Sequence, residues 1–382
     1  MVDHLNPPAP DGAPLPPFAA IPAGLQTLDD YERQAARHMP ADSWEHLQSG
    51  AGGNITLADN RAAFDRIRLL PRMLQDLQGG TTAIELFGRR HEAPILLAPL
   101  AYQRLAHPEG ELAVVRAAMA MAVGTVVSTL SSVPLEDIVT AGRNAAEELG
   151  SAPAPIWFQL YLQEDRGWSA ELVSRAEAAG YEAIVLTVDA SIKRSDFILP
   201  PGIDAANLRG MPRLRQTSAP QGRILFGTPL ADAAPGWDDL AWLRTRTSLP
   251  LVVKGVLAAE DARRAVAAGV DGLIVSNHGG RVLDGLPSAL DVMPDIVDAV
   301  MGQVPLLLDG GVRSGTDIVK ALALGASAVL IGRPQMHGLA VAGMPGVAHI
   351  AHILRAELEL AMAQLGCRTV ADVGRSVLFC RS

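Results

Sequence analysis

Short apolar runs recur along most of the chain, and the stretches between them carry hydrophobic residues three or four apart. The first pattern predicts buried strands and the second amphipathic helices. Strands are predicted at Pro94–Ala101, Thr125–Ser128, Ile156–Tyr161, Ala183–Asp189, Leu251–Val256, Gly272–Val275, Val304–Gly311 and Ala328–Arg333. Helices are predicted at Gly110–Ala122, Leu135–Leu149, Ser169–Ala179, Trp237–Thr245, Ala259–Ala268 and Asp317–Leu324, with a long helical tail after Pro345. Eight apolar strands alternating with helices describe an α/β fold whose parallel sheet closes on itself, a (β/α)8 or TIM barrel. A helical lead-in precedes it. Leu28–Arg37 is predicted as a helix ended by Pro40, and Asp42–Gln48 as a shorter one stopped at Ser49-Gly50 and the turn Ala51–Asn54. Segments Arg66–Pro71 and Thr81–Leu86 are expected to cover the barrel floor. One long irregular insertion, Ser191 to Gly236, follows the fourth strand and is expected to form a mobile lid over the mouth.

Composition narrows the function classes. Hydrophobic residues make up 49% of 382 residues and charged ones 19%, enough for a large core. A net charge of −9 argues against nucleic acid, which needs a basic surface. No apolar run reaches the length of a membrane span before a Gly, Pro or charge interrupts it. Residues 1–27 are Pro- and Ala-rich, lack a signal-peptide pattern and are expected to be disordered, leaving residues 28–382 as a single barrel domain. Cys367 and Cys380 have no metal-ligand spacing, so no metal is expected, and the cysteine usage fits a cytoplasmic protein.

In a barrel the C-terminal ends of all strands meet at one face, so polar residues there become neighbours. Here they are Pro99-Leu100-Ala101, Ser128, Gln159 and Tyr161, Thr187 and Asp189, Lys254, then Ser276, His278 and Arg281, then Asp309, Gly310, Gly311 and Arg313, and finally Gly332 and Arg333. The glycines and arginines of the last two strands suit a phosphate cradle. His278 is a candidate base with Asp189 to orient it, and Arg281 suits a carboxylate. Lys254 ends a Val-rich strand and needs an anion, an electron-rich ring or a Schiff-base role. Base, anion clamp and phosphate-anchored ring describe oxidation next to a carboxylate.

Several motifs carry a family resemblance: Ser276-Asn277-His278-Gly279-Gly280-Arg281 with Leu283-Asp284, Ala106-His107-Pro108-Glu109-Gly110-Glu111, and Phe158-Gln159-Leu160-Tyr161. Leu186–Asp189, Val253–Val256, Leu308–Arg313 and Ile331–Pro334 complete the set. From Leu28 to Gly366 the chain resembles the FMN-dependent α-hydroxy-acid oxidases and dehydrogenases, whose members oxidise glycolate, lactate or mandelate. The resemblance implies FMN as cofactor and oxidation of an L-2-hydroxy acid to the 2-oxo acid, with oxygen or another acceptor reoxidising the flavin. It implies His278 as base, Asp189 as its support, Tyr161 on the substrate oxygen and Arg281 on the carboxylate. Lys254 would lie at the flavin's N1–O2 edge. Pro99, Leu100, Ala101, Ser128, Gln159, Thr187 and Ser276 would line the ring or ribityl chain, Asp309 would bind ribityl hydroxyls, and Gly310, Gly311, Arg313, Gly332 and Arg333 the phosphate. A homotetramer is implied as well.

Three positions depart from the family pattern. His46 stands where a carboxylate-binding tyrosine is usual, Arg194 is the match for a second carboxylate-binding arginine, and Leu130 replaces a bulky aromatic. These changes point to a substrate larger than glycolate, aryl or branched. Two other readings stay open at this point: a flavin-free lyase or isomerase using Lys254, and an FMN-binding barrel acting on a non-standard substrate.

Overall fold

Eight parallel strands close into a ring in the structure, a computed structural model that describes residues 13–191, 197–211, 225–228, 231 and 234–379. They are β3 (Ile95–Leu97), β4 (Gly124–Ser128), β5 (Ile156–Leu160), β6 (Ile184–Thr187), β7 (Leu251–Val256), β8 (Gly272–Ser276), β9 (Leu306–Asp309) and β10 (Ala328–Ile331), with β10 pairing back onto β3. Each lies where an apolar run predicts it. A short antiparallel hairpin, β1 (Ile84–Leu86) and β2 (Arg89–His91), precedes the barrel.

Side chains alternate along each strand, so every second residue enters the barrel. Leu96, Val126, Trp157, Val185, Val252, Ile274, Leu307 and Leu330 form one interior cluster, closed by Leu86 with Ile84 and Phe87 of the hairpin. Their strand neighbours, such as Ile95, Val127, Leu186, Val253 and Leu308, pack outward against helices in a second, larger cluster. The hairpin therefore plugs the floor, as the Thr81–Leu86 segment was expected to do.

The enclosing helices are α4 (Glu111–Met121), α5 (Leu135–Glu148), α6 (Arg166–Ala179), α7 (Trp237–Arg244), α8 (Ala259–Ala267), α9 (Ala289–Val300), α10 (Gly315–Ala323) and α11 (Arg333–Leu365). Helix α11 starts directly after β10 rather than after Pro345, and its two halves meet at a kink where Ala342 and Gly343 leave helical geometry. It is long and apolar enough to span a bilayer, but 61% of its most apolar window is buried against the barrel, so it is a core helix.

The lead-in contains α1 (Leu28–His38), capped by Thr27 in a reciprocal box with Asp30, then α2 (Ala41–Gln48) and a third helix, α3 (Ile55–Arg66). The expectation of disorder before residue 28 is corrected for residues 13–27. Leu25 is buried, the Phe18 amide donates to the Val341 carbonyl, and the Leu15 amide donates to that of Arg37. Proline-rich sequence here makes an extended packed strap rather than a free tail.

Candidate active site

Two residues above the apolar interior layer, the same alternation brings a different set of side chains inward: Ala98, Ser128, Gln159, Thr187, Lys254, Ser276, Asp309 and Gly332. The barrel thus changes from hydrocarbon to polar groups in one step of its strands. Above this layer lies a cavity of about 480 Å³, within the range of small-molecule sites. Of the residues nominated from sequence, Pro99, Leu100, Ala101, Ser128, Gln159, Tyr161, Thr187, Lys254, His278, Arg281, Asp309, Gly332, Arg333 and His46 border it.

The ionic centre is a buried trio. Lys254 Nζ lies 2.7 Å from Asp309 Oδ2 and 2.9 Å from Ser276 Oγ, and Ser276 Oγ donates to the same carboxylate oxygen at 2.7 Å. Burial opposes both charges, but the Asp309 and Asp189 carboxylates raise the lysine above its ordinary value, while Lys254 and Ser276 lower Asp309. The 2.7 Å ion pair with Asp309 favours the ammonium form of Lys254. A Schiff-base role needs the free amine, which this pairing disfavours. Ser276, fully buried beneath the cavity, links Lys254, Asp309 and the His278 amide, which donates to its Oγ at 3.0 Å.

His278 adopts left-handed backbone geometry, φ +59°, just past β8. Its Nδ1 is 2.8 Å from Asp189 Oδ1 and its Nε2 is 3.4 Å from the Tyr161 hydroxyl. Asp189 lies behind the ring rather than on the cavity wall. Burial, then the nearby Asp189 charge, pushes the Tyr161 phenol well above its ordinary value, so it remains a hydrogen-bond donor. This arrangement fixes the imidazole tautomer and directs one nitrogen towards the cavity.

Arginines gather at the opposite end. Arg281 donates to the carbonyls of His46, Leu47 and Ser49, which end helix α2, using three of its five N–H donors. Arg333 donates to Leu47, Ser49 and Gly279. Burial lowers Arg281, and burial with Arg281 and Arg313 close by brings Arg333 down to about 9. Arg313 is half-buried and off the cavity wall, donating to the Val312 carbonyl and 3.9 Å from Glu32. Gly310 and Gly311 are off the wall as well. A Cβ on Gly311 would lie 2.1 Å from the Asn60 carbonyl, so this glycine admits α3 to the barrel rim whatever it does for a ligand.

Helix α3 and the His278 loop are held together by residues that the sequence pattern did not single out. Asn60 and Asn277 exchange two amide hydrogen bonds of 2.9 and 2.8 Å, and Asn277 also accepts from the Gly280 amide and donates to the Pro287 carbonyl. Asp284 receives the Gly53 and Thr56 amides at the start of α3. Glu111, buried, receives the amides of Gln103 and Ser132 and so ties the loops after β3 and β4, which carry Tyr102 and Leu130 to the cavity. The quoted motifs contain Asn277, Asp284 and Glu111, but no spacing rule assigns these pairings. His46 stacks on Phe197, ring centroids 4.0 Å apart. Arg194 lies outside the described residues. Ser191, Leu208 and Pro235 border the cavity, so the described parts of the insertion do reach its mouth.

The polar layer fits a heterocycle with a charged tail. Among the described residues, Gln159 Nε2 and Thr187 Oγ1 are buried without a protein partner, and both residues border the cavity along with Lys254. Buried polar atoms left this way need a ligand or water. The arginine-rich end suits a phosphate.

Comparison with known proteins agrees with this chemistry. A family described as FMN-dependent dehydrogenase matches residues 35–380. The chain belongs to this family. It is 46% identical over 360 residues to an L-lactate oxidase of Nostoc sp., covering 92% of this chain and 97% of that one. It is 44% identical to a 4-hydroxymandelate oxidase of Amycolatopsis orientalis, covering 91% and 97%. A crystal structure of mandelate oxidase with (S)-2-phenylpropionate superposes with a TM-score of 0.81 at 43% identity, over 93% of this chain and 98% of that one. As a member of the FMN-dependent dehydrogenases the chain is an FMN-dependent oxidoreductase acting on CH–OH groups. Gln159, Thr187, Lys254 and the arginine end are the residues that would hold the FMN.

Proposed function

We propose that the protein oxidises an L-2-hydroxy acid with an aryl or branched apolar substituent to the 2-oxo acid, with oxygen or another acceptor taking the electrons onward. The observation that carries the reading is His278, oriented by Asp189 and placed beside the Tyr161 hydroxyl at the cavity wall. Bound FMN supplies the two-electron acceptor. His278 Nε2 takes the α-proton, or the hydroxyl proton when the α-hydrogen leaves as hydride, and Asp189 stabilises the imidazolium that results. Tyr161 donates to the substrate's hydroxyl oxygen. Lys254 would present its positive charge to a bound flavin ring from the cavity floor. Arg281 takes the carboxylate with the donors that the α2 carbonyls do not use.

The larger substituent is favoured by the apolar part of the cavity lining. Leu105, Leu130, Leu162 and Leu208 belong to it, and Tyr102 adds an aromatic face. Such a wall rewards each buried methylene by about 0.8 kcal/mol, an advantage glycolate cannot use. Anaerobic flavin reduction with glycolate, lactate and mandelate, followed by exposure to oxygen, tests the proposal. Mandelate-type acids are expected to reduce the flavin with the highest kcat/KM and glycolate with the lowest; the reverse order refutes the substrate class. His278→Ala is expected to slow reduction by about 10²–10⁴-fold. The assembly we propose is a homotetramer, measurable by light scattering.

A further inference from the structure

We infer that Gly255 is a positioning residue for the oxidation: the bulge it forms in β7 makes the room in which Asp189 aligns His278. The inference rests on reading His278 as base and Asp189 as its orienter.

The evidence begins in the ladder between β7 and β8. Pairing advances one residue at a time from Val252↔Gly272 through Lys254↔Ile274, then jumps to Val256↔Val275. Gly255 is the extra residue of a β-bulge, a device that re-aims the side chains around it. Its φ of +105° belongs to the region that favours glycine. Lys254, just before the bulge, still pairs with Thr187 and points into the barrel, while the Val188 amide donates to the Lys254 carbonyl at 3.0 Å. Asp189 then crosses over β7 at the bulge.

The crossing leaves no space for a side chain on the strand. A Cβ at position 255 would stand 2.6 Å from Asp189 Cγ, 2.7 Å from its Cβ and 2.9 Å from Oδ2. These are carbon and oxygen atoms of a carboxylate whose other oxygen is the 2.8 Å partner of His278 Nδ1. An added methyl group must push Asp189 off that line or force the bulge open. Either change turns the imidazole away from Tyr161, which its Nε2 faces at 3.4 Å. Misplacement of about 1 Å in such a constellation costs about 10²-fold in rate.

Stopped-flow flavin reduction by mandelate in the FMN-loaded wild type, Gly255→Ala, Asp189→Ala, Asp189→Gly and the double variant Gly255→Ala with Asp189→Gly tests the inference. Gly255→Ala is expected to lower the limiting reduction rate by about 10²-fold. Its substrate dissociation constant, flavin spectrum and FMN retention should stay near wild type, because the contact is with Asp189 and not with the ligands. In the Asp189→Gly background, which lacks the Cβ 2.7 Å away as well as the carboxylate, the same change should cost no more than about 2-fold, since the two residues act on one interaction. Gly255→Ala at wild-type rate beside a slow Asp189→Ala, or losses that multiply in the double variant, overturns the role of Gly255. A fully active Asp189→Ala overturns instead the base–orienter reading beneath it. If Gly255→Ala does not fold, Gly255→Ala with Asp189→Gly decides: folding restored supports the contact, and folding still lost means that the backbone angle alone required the glycine.

Discussion

His91, at the end of the floor hairpin, offers the sharpest quantitative test of the fold. Its side chain is buried, neither ring nitrogen has a hydrogen-bond partner among the described residues, and it meets Trp157 edge-on with centroids 6.1 Å apart. Burial, reinforced by Arg89, lowers its pKa from 6.5 to about 4. The unfolded chain takes up this proton near pH 6.5 and the folded one only near 4. The unfolded state therefore binds more protons between those values, and stability falls as pH drops through the window. Above about pH 6.5 the group costs nothing electrostatic. A separation of about 2 to 3 units at about 1.4 kcal/mol per unit gives roughly 3 kcal/mol lost by pH 4, most of it reached by pH 4.5. His91→Phe removes this proton site while keeping a ring against Trp157. Urea unfolding of both proteins at saturating FMN, at pH 7.5 and 4.5, isolates the residue, because every other titrating group is common to the pair. The wild type is expected to lose about 2–3 kcal/mol more than the variant across that interval. Equal losses would show that His91 is not held neutral by burial, and the reasoning would fail.

Two further outcomes concern the active face. Lys254→Met strands the Asp309 carboxylate and is expected to destabilise by about 3–5 kcal/mol, most of it recovered by adding Asp309→Asn; additive losses in a urea double-mutant cycle contradict the pairing. Asn277→Ala leaves the Asn60 amide without its partner and is expected to cost about 2–4 kcal/mol, with a slower flavin reduction because α3 no longer steadies the His278 loop; an unchanged Tm argues against that clasp.

The strands were legible because both faces of each are buried and each reads as an unbroken apolar run. Their polar ends were legible by the same logic, since the side chain two residues beyond the interior layer must also point inward. Helix α3 was not, and its burial says why. Of its buried residues, Thr56 and Asn60 are polar, and only Ala63 and Phe64 are apolar. Its docking is made by amide and carboxylate hydrogen bonds, which leave no hydrophobic period to read. The packed strap at residues 13–27 was hidden in the opposite way, by proline content that resembles a disordered tail. Site geometry was the least legible. Nothing in the order of residues tells that Ser276 faces Lys254 and Asp309 rather than the cavity, or that the α2 carbonyls occupy part of Arg281.

Those contacts explain how the two ends of the site differ. Along one side every buried charge has its counterpart: Lys254 with Asp309, and any proton gained by His278 with Asp189. The other end holds Arg281, Arg313 and Arg333, all lowered by burial, with Glu32 the nearest carboxylate to Arg313 at 3.9 Å. Backbone carbonyls supply partial negative charge there but cannot neutralise three guanidinium groups. A dianionic phosphate and a substrate carboxylate would supply what the chain leaves out, so ligand binding completes the electrostatics of the fold. The paired side, already balanced, is free to keep its geometry while charge moves through it, which is what a preorganised redox site requires.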